Sequence, residues 1–417
     1  MEIILIHPLP QGAKKPYRTK ASEAVRTRQA EESSVFGRLE QVFARVIPGN
    51  LKVCVIETAE ALTAAIEDNA LRNQRILLAA SIGASGPTPE LFSILYLLRE
   101  VRTQNAIHWD RARQESGKHL YSGETETTDR PQEWGNGCMK GSVGAVWLDG
   151  ESEDYTKAAG RELIQAMNQS GCSFPGNPFC EATGSLKNFL VRAQNTGCTL
   201  ERAYELAVGD LLERLLSYPQ PMARSHSLLC IHTCDPATSN TYWVWKQLRA
   251  EFSGNLMIQE ISLRGGPLMD CAGCSYEACM YYSSNADCYY GGTMVEEVYP
   301  ALMDARALIL LCPNYNDALG ANLSAFINRL TALYRRRPFS DKSLFAVVIS
   351  GYSGSDLVTA QLIDALNMNK AFQLPADFAF TETANLAGSI RRVPGIEEKI
   401  RSYAAYIEET LLQTAGE

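Results

Sequence analysis

Leu228-Leu229-Cys230-Ile231-His232 runs into Thr233-Cys234-Asp235-Pro236-Ala237-Thr238-Ser239-Asn240-Thr241 and then into the helix-like stretch Tyr242 to Ala250. A short, unbroken apolar run bounded by turn formers reads as a strand buried on both faces, the mark of a parallel sheet. The loop that follows is rich in hydroxyls, which cap helix N-termini, so strand, loop and helix together begin a βαβ unit. Further strands are expected at Leu256 to Leu263, Ala307 to Cys312, Leu344 to Ser350 and around Asp377 to Thr381. The first half repeats the plan, with strands at Glu2 to His7, Leu51 to Ile56, Arg75 to Ser81, Gly144 to Asp149 and Pro178 to Thr183. The predicted class is α/β, with two doubly wound parallel-sheet domains in tandem. Internal likeness supports a duplication: Ala145 to Ser152 matches Ala346 to Ser353, and Glu162 to Asn168 then matches Gln361 to Asn367.

A length of 417 residues suits two domains. They are placed at 1–220 and 221–417, with a linker near Ser217 to Ser225 where Pro219 and Pro221 interrupt helical periodicity. Apolar residues at 46% and charged residues at 21% describe a globular chain with large cores. A net charge of -8 argues against nucleic acid as a partner. No apolar run is long enough to span a bilayer, and Met1 to His7 lacks the features of a signal peptide, so a cytoplasmic location without membrane insertion is the expectation. Two polar segments break the α/β rhythm. One is the basic arm Pro8 to Glu32; the other is an insert at 102–137 with His108, Trp109, His119 and Trp134.

Three loops of the second half should lie on one edge of its sheet, at successive strand ends. In the first, hydroxyls, backbone N–H groups and a helix N-terminus would converge on an anion. The second is Cys312-Pro313-Asn314-Tyr315-Asn316-Asp317-Ala318, and the third is Ser350-Gly351-Tyr352-Ser353-Gly354. A tyrosine and closely approaching backbone in each would frame a flat ring.

On these loops, residues 226–390 resemble the flavodoxin-like NAD(P)H-dependent FMN reductase family, which includes the iron-sulfur flavoproteins. The resemblance implies that Ser239, Asn240 and Thr241 hold the FMN phosphate, with Thr233 at the start of that loop. Thr233, Cys234 and Pro236 stand where the family usually has Gly, Ser and Arg; the missing Arg would weaken phosphate neutralisation, for which another group such as the N-terminal basic arm could compensate. Pro313, Asn314, Tyr315 and Asn316 correspond to the family's loop beside the isoalloxazine, and Ser350, Gly351, Tyr352, Ser353 and Gly354 to its Ser-Gly loop. Asn328-Arg329 falls where the family has Asp-Arg. The implied activity is electron transfer from NAD(P)H through FMN to a quinone-like, nitro or other small acceptor, with no side chain needed as acid or base. An alternative is an electron carrier serving a redox partner protein. Family reductases dimerise, so the first half, as a divergent copy, would make the chain an intrachain pseudo-dimer. Because that half lacks a Ser-x-Thr loop after its first strand, one FMN per chain is expected.

Twelve cysteines in a chain of this kind read as reduced thiols. Four crowd together as Cys271-x2-Cys274-x4-Cys279-x8-Cys288. A [4Fe-4S] cluster, as in the iron-sulfur members, a zinc ion in a stapled scaffold, and no metal at all are the three readings. His7 and His232, at corresponding strand ends, read as satisfied core histidines.

Overall fold

The computed structural model describes residues 2–8, 35–100, 134–218, 227–266 and 268–412. Residues 9–32 of the basic arm, 102–133 of the polar insert and most of the expected linker lie outside these. The described residues form two compact units. The first comprises those up to 100 together with 137–172 and 178–218; the second comprises 227–412 with the stretches 134–136 and 173–177. Among the described residues, no helix is long and apolar enough to cross a membrane.

The first unit runs β1 (Glu2–Ile6), α1 (Val35–Val46), β2 (Lys52–Ile56), α2 (Ala59–Glu67), β3 (Arg75–Gly83), the two-residue β4 (Gly86–Pro87) and α3 (89–100). It continues through β5 (Ser142–Gly150), α4 (Thr156–Gln169), β6 (Cys172–Ser173), β7 (Phe179–Ala182), α5 (Leu190–Thr196) and α6 (Leu200–Ser217). Strands lie in the order β2-β1-β3-β5-β6, with β7 also pairing β5. All nine residues of β5 are buried, as a central strand covered on both faces requires, whereas β2 at the edge alternates. Trp147 on β5 and Tyr204 on α6 anchor one core face, against Leu39 and Phe43 of α1.

Asp149, near the end of β5, is fully buried and paired with Arg38 of α1. The guanidinium also donates to the carbonyls of Gly150 at 3.1 Å and Thr183 at 3.1 Å, so it caps the carboxyl edge of this sheet with the protein's own charge. Tyr204 Oη donates to Asp149 Oδ2 at 3.0 Å and accepts from Trp147 Nε1 at 2.6 Å, which meets the remaining lone pairs.

The second unit runs β8 (Ser227–His232), α7 (Asn240–Glu251), β9 (Met257–Ser262), α8 (Tyr276–Ser283), α9 (Tyr299–Asp304), β10 (Ala307–Pro313), α10 (Ala321–Arg336), β11 (Ser343–Ser350), α11 (Ser355–Leu362), β12 (Ala379–Thr383) and α12 (Ile396–Leu412). Its five strands are all parallel, in the order β12-β11-β10-β8-β9. Read from β9, this is the order 2-1-3-4-5 of flavodoxin-like sheets, with the switch point between β8 and β10. β10 and β11 are buried throughout, while Trp245 of α7 and Tyr403 of α12 fill the core on one face with Phe345 and Phe380.

The expected last strand starts two residues late. Asp377 has a left-handed φ of 48°, and the Phe378 carbonyl accepts from Tyr403 Oη at 2.5 Å as well as from the Ala346 N–H at 3.0 Å. The ladder therefore becomes regular only at Ala379.

Candidate functional site

The carboxyl ends of β8, β10 and β11 place the loops 233–239, 314–320 and 351–354 on one edge of the second sheet, flanking the switch point. In the first loop Ser239 is the N-cap of α7, its Oγ accepting from the Tyr242 N–H at 3.2 Å. Asp235 Oδ1 accepts from the Ala237 N–H at 2.9 Å and its carboxylate pairs with Arg264, which follows β9. The Ala237 N–H and this pairing hold the Asp235 carboxyl below its usual range. Burial pushes the Cys234 thiol up to about 11, so it stays protonated and unreactive.

The expected phosphate residues separate into two kinds. Ser239 lies at the loop surface, and Thr233 lies within 3.8 Å of where a Cβ on Gly320 would sit, at the junction with the second loop. Asn240 instead spends its amide on the loop after β12, donating to Ala384 O at 3.0 Å and Leu386 O at 2.9 Å and accepting from the Gly388 N–H at 2.8 Å. Thr241 is buried in the first turn of α7.

The second and third loops are locked together. Asn314 Nδ2 donates to Asp317 Oδ1 at 3.2 Å and to Ser350 Oγ at 3.0 Å, and Ser350 Oγ meets Ser355 Oγ at 2.8 Å. Gln361 of α11 accepts from the Leu319 N–H at 3.1 Å and donates to Asp317 O at 2.9 Å. Asn316 and Asp317 both take left-handed φ, at 53° and 58°, which asparagine and aspartate tolerate better than other side chains. Pro313 ends β10 buried; Gly354, at φ 96°, closes the third loop after Ser353. What this scaffold presents outward is aromatic: Tyr315 is 58% exposed and Tyr352 77%. Gly320 and Gly351 leave backbone open beside them, with no neighbour closer than 3.5 Å to a built Cβ at either.

His232, at the foot of the first loop, is structural. Its Nδ1 accepts from the Cys234 N–H at 3.2 Å, and its Nε2 faces Glu260 at 3.3 Å. Burial pushes the imidazole below its ordinary value against the pull of Glu260. Burial would raise Glu260, but hydrogen bonds from Trp245 and Tyr242 hold its carboxyl low. Because native His232 resists a proton that the unfolded chain accepts at about pH 6.5, its contribution to stability is whole above that pH. It is lost as pH falls toward the depressed native value. Denaturant titrations between pH 7.5 and 5 should show stability falling with acid, with a shallower slope in His232→Gln; equal slopes would refute this.

The four cysteines follow β9: Cys271 and Cys274 precede α8, Cys279 lies within it and Cys288 follows it. Cys271 and Cys274 are exposed and Cys279 and Cys288 half-buried. Burial raises the Cys279 thiol, and the other three thiols, near enough to act on it, raise it further. Among the described residues, however, no group of three or more His, Cys, Asp or Glu side chains converges as a metal requires. Nearby Arg329 is buried and donates to Gly291 O at 2.8 Å, and Asn328 donates to Asp270 at 3.0 Å, so this pair braces the cysteine segment.

Sequence reading missed Arg264, Gln361 and Gly320. The first two act through partners distant in the chain; Gly320 could have been suspected as the glycine ahead of α10.

No curated protein matches the chain. Among solved structures, the NAD(P)H:quinone oxidoreductase from Methanothermobacter marburgensis is similar over 46% of this chain and 98% of its own, at 13% identity and TM-score 0.34. The flavodoxin, WrbA-like protein from Agrobacterium tumefaciens aligns over 45% of this chain and 97% of its own, at 13% identity and TM-score 0.30. An FMN-dependent NADH-azoreductase from Bacillus anthracis str. Ames Ancestor, in complex with FMN, aligns over 44% and 99%, at 11% identity and TM-score 0.30. Residues 228–385, from the first core strand of the second unit to the loop after β12, match the family model described as NADPH-dependent FMN reductase. The likeness to the NADPH-dependent FMN reductase family therefore lies in the C-terminal half of the chain.

Proposed function

We propose that the chain transfers electrons from NAD(P)H, through one FMN on the carboxyl edge of the second sheet, to a small acceptor of the quinone or nitro class. The observation that carries this reading is the set of three loops at the switch point, all within the matched segment. The residues present fit the group. Thr233, Ser239 and the N-terminus of α7 offer hydroxyls and N–H groups to a phosphate, while Tyr315, Tyr352 and the open backbone at Gly320 and Gly351 suit the rim of a flat ring. Bound FMN supplies the redox chemistry: it accepts a hydride and releases electrons singly or in pairs. The chain's own part is positional. Asn314, Ser350, Ser355 and Gln361 fix the two ring loops against each other, so that little ordering remains to be done on binding. One flavin per chain is favoured because Arg38 fills the corresponding edge of the first sheet.

The test is the visible spectrum of anaerobically purified, FMN-supplemented protein before and after NADPH, with flavin counted per polypeptide. One equivalent that NADPH bleaches, and that a quinone then reoxidises catalytically, is the expected result. Flavin reduced by dithionite but not by NADPH would favour an electron carrier instead. Protein that takes up no FMN would defeat the reading.

A further inference from the structure

The loop at 233–241 contains no lysine or arginine, yet a flavin phosphate brings about two negative charges to it. A cation stands beside it from another strand. β9 pairs with β8 in the register His232↔Ser262, and the Leu263 N–H continues the ladder to His232 O at 2.7 Å, so Arg264 emerges level with the start of the loop. The segment around Arg264 is fixed by Asn322 of α10, which donates to Leu263 O at 2.6 Å and to Gly266 O at 3.0 Å. The guanidinium pairs with Asp235 Oδ2 at 2.5 Å, and its side chain is 49% exposed. Among the described residues only one of its five N–H donors is engaged, and the half-exposed guanidinium keeps others open to solvent beside the loop.

Resting on the FMN reading above, we infer that Arg264 is the phosphate-binding cation of this site, held over the loop by Asp235 and shared with, or surrendered to, the incoming phosphate. A water-exposed ion pair is cheap to reorganise, whereas a guanidinium facing a phosphate forms charge-assisted, bidentate bonds. Asp235 therefore has two effects: it orders the arginine in the free protein, and it competes with the phosphate for it.

The experiment compares FMN with riboflavin, which shares the ring but lacks the phosphate, by fluorescence titration of the full chain. Wild type should prefer FMN. Arg264→Gln should raise the Kd for FMN about tenfold or more while leaving that for riboflavin unchanged, and Arg264→Lys should fall between. Unchanged riboflavin affinity also certifies that the variant has folded. The preference for FMN in wild type, but not in Arg264→Gln, should weaken with added salt. A variant that keeps the full wild-type preference would overturn the inference and pass the role to another cation. Equal weakening toward both flavins would also overturn it, since Arg264 would then only hold the fold. Wild type that binds riboflavin and FMN equally would refute a phosphate site while sparing the ring site; binding of neither would refute both readings.

Discussion

Asp149→Ala is expected to destabilise the first unit by about 3 kcal/mol, roughly a hundredfold in its opening equilibrium. The carboxylate is fully buried, and its removal leaves the Arg38 guanidinium facing Gly150 O and Thr183 O without a counter-charge and Tyr204 Oη without its acceptor. The figure is taken at the low end because the Arg38 side chain is 25% exposed and water can partly solvate it. Amide hydrogen exchange along β5 reads this directly: protection should fall by about two orders of magnitude. The double variant Arg38→Met with Asp149→Leu removes both charges and keeps apolar volume, so it should recover most of the loss. Protection unchanged in Asp149→Ala, or a double variant worse than the single one, would show that the pair does not hold this unit together.

The second large effect concerns Gly354→Ala. Gly354 sits at φ 96°, where a side chain costs about 1 to 3 kcal/mol in strain. A Cβ there would also overlap Asp317 Oδ1 and lie 2.9 Å from Asn314 Nδ2. Asp317 must then move, and with it goes the tie from Asn314 to Ser350 that locks the ring loops. The expected result is a lower melting temperature together with FMN affinity reduced by about tenfold or more, because the ordering would now be charged against binding. Adding Asp317→Ala should restore part of the affinity by removing the overlap, while the strain in φ persists. A Gly354→Ala protein with wild-type affinity and stability would show that the two loops are not coupled through this contact.

The ten expected core strands all form, because an apolar run such as Leu308 to Leu311 or Leu77 to Ala80 is a property of neighbouring residues and needs no partner to be recognised. The late start of β12 was not legible, since it depends on Tyr403, supplied by the last helix. The same division runs through the site. Asn314-Tyr315 and Gly351 to Gly354 announce themselves as loops by composition. That Asn240 would turn its amide toward Leu386, or that Asp235 would find Arg264, depends on which strands become neighbours. Local spacing cannot encode that; only the sheet order reveals it.

That both sheets follow one strand order also bears on how the chain reaches its native state. Each of the five core strands has a counterpart slot in the other half, and tandem copies of one topology are prone to exchange strands while folding. β5 and β11 are alike in length and apolar character, so burial alone scarcely tells them apart. Asp149 does. In the slot of β11 its charge would be buried without Arg38, whereas Ser350 in its own place is satisfied by the neutral groups of Asn314 and Ser355. The charge on β5 thus disfavours that strand in the other sheet once a core closes around it.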